Sequence, residues 1–179
     1  MRSAFCLTDI RVCFLSNKGL SFKRYYNHPG LQHISLLPAK KSDYRKLIEV
    51  WEASVRATHH FLSNEEILFY KKLILDQYFD IVNLVCAKTP TGVMAGFMGV
   101  LHGKLEMLFV DPVYRGEGIG KILVTYACSV LDVTMVDVNE QNEQAVGFYH
   151  KLGFETISRD PLDGMGKPFP VLHMQKALF

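Results

Sequence analysis

Seven residues, Arg115-Gly116-Glu117-Gly118-Ile119-Gly120-Lys121, have the composition of an anion cradle. An apolar run, Leu105 to Val110, precedes them and is stopped by Asp111-Pro112, because proline removes an amide donor and fixes φ. Apolar residues then fall at Ile119, Ile122, Leu123, Tyr126, Ala127 and Val130, the spacing of one helix face. A strand, a glycine turn and a helix N-terminus leave backbone N–H groups free at the positive end of a helix, with no side chains to keep a phosphate away. Two common glycine motifs do not fit. Lys121 is followed by Ile122 rather than Ser or Thr, which excludes a P-loop, and the G-x-G-x-G spacing is not the G-x-G-x-x-G of dinucleotide sites.

A second stretch, Val138 to Phe154, carries Asn142 as a helix cap, then Ala145, Phe148, Tyr149 and Leu152 on one face, and Gly153 as a C-terminal stop. Taken alone it reads as a capped helix with Tyr149 in the core.

The elements that must position these stretches follow from the period of the apolar residues. Ile34 to Leu37 reads as a first strand, ended by Pro38. Ser42 is placed to cap a helix with Tyr44, Leu47, Ile48, Trp51 and Val55 on one face. A break at Thr58-His59-His60-Phe61-Leu62 precedes a second helix, capped by Ser63 or Asn64, with Glu65 and Glu66 in its first turn. From Asn83 the period changes to β-branched runs. Asn83 to Lys88, Val93 to Leu101 and Leu105 to Val110 form an expected antiparallel meander, with a turn at Thr89-Pro90-Thr91-Gly92. The strand Val133 to Val138 comes after a crossover helix, so it is expected parallel to 105–110, with the glycine loop at the C-terminal edge of the sheet. Val171 to Met174 is a last strand, and the Gly- and Pro-rich segment 160–170 before it is a loop.

Composition bounds the partners. The chain of 179 residues suits one ordinary domain. Its net charge of +2 is unevenly placed, because residues 1–32 carry +4 and the remainder −2, which argues against a broad nucleic-acid groove in the main body. Cys6, Cys13, Cys86 and Cys128 show no metal or redox spacing, so a reduced cytoplasmic protein without a metal is expected. No apolar run is long enough for a membrane span, and Asp9 and Arg11 interrupt the one stretch resembling a signal peptide. Residues 1–32 read as a basic extension of unknown role, with a turn near Asn27-His28-Pro29-Gly30, and residues 33–179 as the domain.

Both glycine-loop and helix stretches resemble the GNAT superfamily of N-acetyltransferases. Arg115-Gly116-Glu117-Gly118-Ile119-Gly120 matches its Gln/Arg-x-x-Gly-x-Gly/Ala loop, and Asn142, Ala145, Phe148, Tyr149, Leu152, Gly153 and Phe154 follow in the family's order. Trp51-x-x-Ser-Val-x-x-Thr-His-x-Phe-Leu62 adds wording seen in small bacterial members. The resemblance spans 33–179. It implies a mixed α/β fold: a central sheet of about six or seven strands, splayed between the family's fourth and fifth strands (105–110 and 133–138 here), flanked by about four helices.

The resemblance further implies direct transfer of an acetyl group from acetyl-CoA to a primary amine. Leu108, Phe109 and Val110 would guide the pantetheine arm. Main-chain amides from Arg115 through Gly116, Glu117, Gly118, Ile119 and Gly120 to Lys121 would hold the pyrophosphate, with the Arg115 and Lys121 side chains adding charge. Asn142 would contact the cofactor, and Tyr149 would face the thioester sulfur as the general acid. Glu106 is the candidate base, placed by strand alternation on the face of Leu108 and Val110; a solvated or ion-paired surface glutamate is the competing reading. His59, His60 and Phe61 are candidates for the acceptor side, with local helix-end hydrogen bonds as the alternative for the histidines. His173 reads as structural. Asp163 reads as a turn residue or as a partner for a cationic acceptor. A small molecule or a peptide supplies the amine, no membrane is involved, and the protein is a monomer or homodimer. The alternative function is an acyl-CoA-binding sensor that has lost transfer.

Overall fold

A computed structural model describes residues 24–28 and 31–177, with side chains from Ile34 onward. Strands β1 (Arg24–His28), β2 (Leu31–Pro38), β3 (Asn83–Lys88), β4 (Met94–Leu101), β5 (Lys104–Val110), β6 (Met135–Asn139), β7 (Phe154–Asp160) and β8 (Val171–Lys176) form one sheet in the order β1-β2-β3-β4-β5-β6-β8-β7. The seven strands from β2 onward are the expected family sheet. An edge strand is added by residues 24–28, which the sequence assigns to the extension, and β2 begins at Leu31 rather than within the domain boundary at 33. Residues 1–23 and the Pro29-Gly30 part of the expected turn lie outside the described residues.

Four α-helices flank the sheet: α1 (Tyr44–Thr58), α2 (Asn64–Leu73), α3 (Ile119–Val130) and α4 (Glu143–Lys151). Helix α1 starts differently from the expected Ser42 cap. A 3₁₀ turn at Lys41–Asp43 leads into it, and the Asp43 carboxylate accepts from the Lys40 N–H at 2.9 Å. Helix α2 starts as its sequence dictates: Ser63 Oγ accepts from the Glu66 N–H, and the Glu66 carboxylate accepts from the Ser63 N–H. A π turn at Ile74–Tyr78 extends it.

The core has two halves, one on each face of the sheet. Helix α3 buries Ile119, Ile122, Leu123, Val124 and Ala127 against Leu105, Val136 and Val138, while Val130, expected on that face, is exposed. Helices α1 and α2 bury Leu47, Trp51, Val55, Ile67 and Tyr70 against Phe97 and Met107 on the other face. Between them, β5 and β6 run parallel but share only the pairs Lys104↔Met135 and Leu105↔Val136. Beyond Leu105 the two strands part, whereas β5 stays paired with β4 as far as Val110. This is the expected splay.

Phe97 is fully buried in β4, with its ring 5.6 Å from Phe109 and 5.8 Å from Phe79, so it supports the wall of the gap from below. Phe97→Ala is expected to lower unfolding stability by about 3–5 kcal/mol in urea titration, through lost burial and the cavity left behind.

Candidate active site

A groove of about 650 Å³ opens where β5 and β6 part. It is bounded by Leu108 to Val110 on β5, by the loop from Tyr114 to Lys121, by the face of α4 carrying Asn142, Ala145, Phe148 and Tyr149, and by Ser54, Thr58 and His59 of α1.

The loop is built as a cradle. Asp111 ends β5 by donating its N–H to the Ala95 carbonyl and accepting at Oδ1 from the Val113 N–H. Gly116 and Gly118 then take φ of 79° and 85°, a left-handed conformation that costs glycine nothing and strains a side chain. Gly118 caps α3 in this conformation, and the first helical bond runs from the Ile122 N–H to the Gly118 carbonyl at 3.0 Å. The N–H groups of Ile119, Gly120 and Lys121 precede that bond and line the groove. A Cβ on Gly120 would lie 3.3 Å from Phe148 Cζ, so this position keeps the loop close to α4.

Strand β5 offers a second set of free groups. The Phe109 carbonyl and the Asp111 N–H both point toward β4. Strand alternation therefore turns the main-chain groups of Leu108 and Val110 toward the gap. Phe109, assigned with them from sequence, serves as wall instead: its ring meets Trp51 at 6.3 Å and Phe97 at 5.6 Å.

Arg115 is used differently from the expectation. Its guanidinium donates to the Ser54 carbonyl at 3.1 Å and to Ser54 Oγ at 3.0 Å, tying the loop to α1. Burial lowers its pKa, with the Asp111 charge opposing. Lys121 is exposed at the rim, as is Glu117 on the loop's outer side. Ser54 and Thr58 are site residues to which the sequence reading gave no role, because on the helix wheel they flank the apolar stripe that identifies α1.

His59 lies in the groove, whereas His60 is exposed and neither it nor Phe61 is among the groove residues. The Phe61 ring packs on Phe169 at 5.6 Å and on His59 at 5.3 Å, so it supports the site from behind. Thr58 Oγ1 gives its one proton to the Ser54 carbonyl at 2.8 Å, so at 2.9 Å from His59 Nδ1 it can only accept. That fixes the proton of His59 on Nδ1 and leaves Nε2 with a free lone pair. Burial, then the charges of Arg115 and His60, hold the His59 pKa down to about 4, so the ring is neutral at physiological pH.

Tyr149 is buried on α4 and lines the groove, its ring held edge-on by Phe148 and Phe154. Burial raises its pKa well above the ordinary phenol range, so the hydroxyl keeps its proton. Asn142 caps α4 by accepting from the Ala145 N–H at 3.2 Å, which leaves its amide nitrogen as a donor at the groove.

Glu106 departs from strand alternation. The β4–β5 register shifts between Gly99↔Met107 and Val100↔Leu105, making Glu106 the extra residue of a bulge. Leu105, Leu108 and Val110 consequently pack under α3, while Met107 and Phe109 pack under α1. Glu106 lies instead with Lys104, whose Nζ is 3.1 Å from Glu106 Oε1 and 2.9 Å from Asp137 Oδ2. It is outside the groove lining, and its side chain, only 10% exposed, is ion-paired, the second of the two competing readings, rather than solvated. Asp163 is buried too: it accepts from the Tyr70 hydroxyl and from the N–H groups of Met165 and Lys167, so it orders its own loop rather than facing solvent.

The groove geometry agrees with the comparisons. A model of the acetyltransferase (GNAT) domain matches residues 81–156. The peptidyl-lysine N-acetyltransferase YjaB of Salmonella typhimurium is 40% identical over 141 residues, covering 79% of this chain and 97% of that protein. The chain belongs to the GNAT acetyltransferase family. The solution structure of apo-form YjaB from Escherichia coli matches this GNAT chain with a TM-score of 0.73 at 37% identity, covering 80% of this chain and 97% of that one. A PaiA N-acetyltransferase from Thermoplasma acidophilum, in complex with coenzyme A, shares the fold with a TM-score of 0.65 at 21% identity.

As a GNAT member the protein is an N-acetyltransferase that uses acetyl-CoA. The left-handed glycines, the open amides of Ile119 to Lys121 and the unpaired edge of β5 fit a pyrophosphate followed by an amide-bearing arm. Gly118→Val, strained at φ of 85°, is expected to weaken acetyl-CoA binding in calorimetry while leaving turnover at saturating acetyl-CoA near the wild-type value. A collapse of saturated turnover in the folded variant would give the loop a chemical role.

Proposed function

We propose that the protein transfers acetyl groups to the ε-amino group of lysine in peptides or proteins, by direct attack and without a covalent enzyme intermediate. The observation that carries the mechanism is the groove opened where β5 and β6 part, which Tyr149 lines from α4, while the buried carboxylate of Glu106 on β5 lies outside that lining. The lysine acceptor is supported by the relatives, since YjaB and the YiaC of Escherichia coli, 28% identical over 66% of this chain, are both peptidyl-lysine N-acetyltransferases.

Acetyl-CoA when bound supplies an activated thioester. The N–H groups of Ile119, Gly120 and Lys121 would hold its pyrophosphate, the free edge of Leu108 and Val110 would take the pantetheine arm, and a main-chain N–H of that edge would polarise the acetyl carbonyl. Lysine arrives as an ammonium and must lose a proton before it attacks. Burial pushes the Glu106 pKa up to about 7, with Lys104 pulling it down and Asp137 adding a smaller push upward. A carboxylate poised there takes a proton near neutrality, and from outside the groove lining it does so through water. Tyr149, which keeps its proton at all working pH values, gives it to the departing sulfur. His59 Nε2 presents a neutral acceptor to the incoming amine.

Cysteines without metal or redox spacing support a reducing cytoplasm, where the protein acts as a monomer or homodimer with its catalytic domain in residues 33–179 and a basic extension of unassigned role in residues 1–32. Among the described residues, no helix is long and apolar enough to cross a membrane, and no three His, Cys, Asp or Glu side chains group as a metal site.

A panel of lysine-containing peptides, assayed by CoA thiol release and mass spectrometry, should show acetylation at lysine Nε. Acetylation confined to small polyamines or peptide N-termini would contradict this acceptor. Tyr149→Phe should lower kcat by roughly 100-fold or more while acetyl-CoA affinity holds. The base must be ionised, so kcat/KM should rise as pH increases through about 7, and Glu106→Gln should abolish that limb. An unchanged limb would remove Glu106 from the role.

A further inference from the structure

An unbroken chain of ionisable side chains runs sideways from Glu106 across four neighbouring strands. Lys104 Nζ on β5 bridges Glu106 Oε1 at 3.1 Å and Asp137 Oδ2 on β6 at 2.9 Å. The other oxygen of Asp137 meets His173 Nδ1 on β8 at 2.7 Å, and His173 Nε2 meets Asp160 Oδ2 on β7 at 3.1 Å. The side chains become more exposed toward the sheet edge: 6% for Asp137, 19% for His173 and 32% for Asp160.

This arrangement is costly as a stabilising device. Desolvating an ammonium and two carboxylates offsets most of their mutual attraction, and an apolar cluster would hold four strands together as well. It does have a defined effect on Glu106. The bulge turns that carboxylate away from the groove-lining residues of β5, and Lys104 is the one hydrogen-bond partner of its Oε1 among the described residues. The charges that act on Glu106 are those of Lys104 and Asp137, both within this chain of side chains. Burial works against the Lys104 ammonium, but Glu106 and Asp137 outweigh it and keep it charged.

We infer that Lys104 is a positioning residue for acetyl transfer: braced by Asp137, His173 and Asp160, it holds the Glu106 carboxylate in place through its ion pair. His173 is thereby structural for the brace, and its bonds to Asp137 and Asp160 fix the side of Asp137 that faces Lys104. The inference rests on the reading of Glu106 as the base, and two variants separate the failure of one from the failure of the other.

The test compares kcat/KM against pH for wild type, Glu106→Gln, Lys104→Met and Lys104→Arg, with acetyl-CoA affinity measured alongside. Loss of the neighbouring cation should move the acidic limb of Lys104→Met upward by about one pH unit or more. Arg, which keeps the charge, should restore the limb, and acetyl-CoA affinity should be unchanged in both. A merely structural lysine would lower activity at every pH and leave the limb in place. Should Lys104→Met fail to fold because Asp137 is left buried and unpaired, Lys104→Met with Asp137→Asn removes both charges. The limb then still moves up, by less, since Lys104 outweighs Asp137 at Glu106. If Glu106→Gln abolishes the limb but removal of Lys104 leaves it unmoved, the inference is overturned and the base survives. If Glu106→Gln retains the limb, both fall.

Discussion

The site depends on one unmade set of hydrogen bonds. Strands β5 and β6 pair at Lys104 and Leu105 and then part, so β5 carries a free edge from Leu108 to Val110 into the middle of the sheet. Free sheet edges are normally paired or covered, because each unsatisfied N–H or C=O costs free energy if buried away from water. Here the two halves of the core hold the strands apart. Cluster packing under α3 fixes β5 from one face, while the Trp51, Phe97 and Phe109 rings fix it from the other. The edge is then available to an extended molecule carrying amides, and the glycine turn at its end receives an anion. What the loop and the edge offer is mostly main chain, while the Glu117 and Lys121 side chains are exposed.

The same architecture separates two buried ionisable groups. Tyr149 lies among aromatic rings on α4, where burial keeps the phenol protonated. Glu106 is buried as well, but beside an ammonium, so burial and the Lys104 charge oppose each other and leave its pKa near 7. Burial acts alone on the phenol, whereas a neighbouring cation opposes it at the carboxylate. Arg115 shares the Ser54 carbonyl with Thr58, which in turn orients the His59 ring.

Local rules made much of this legible in the sequence. Glycine at alternating positions before a helical stripe, Ser63 with Glu66, and Asn142 three residues before Ala145 are each one-residue signals with one physical cause, and each has the expected geometry. The less legible features depend on contacts distant in sequence. Strand β7 keeps only Phe154 fully buried, so its residues show no apolar alternation to mark it. The bulge at Glu106 breaks the period on which its face was assigned. The Arg115 partner is 61 residues away, and nothing near Arg115 distinguishes a cofactor-facing guanidinium from one that braces a helix. Asp163 had turn chemistry, as read, but its burial under Tyr70 follows from packing between α2 and the β7–β8 loop.

The free main-chain edge of β5 is open to direct observation. Backbone amide resonances followed by NMR during titration with CoA should move at Leu108 and Val110, across Gly116 to Lys121, and along the groove face of α4 from Asn142 to Tyr149. Hydrogen exchange at the Leu108 and Val110 amides should slow when the edge is paired, while amides of β3 and α2 stay unchanged. Saturable binding with perturbations confined elsewhere, or with Leu108 and Val110 unaffected, would contradict the assignment of the free β5 edge as the donor site.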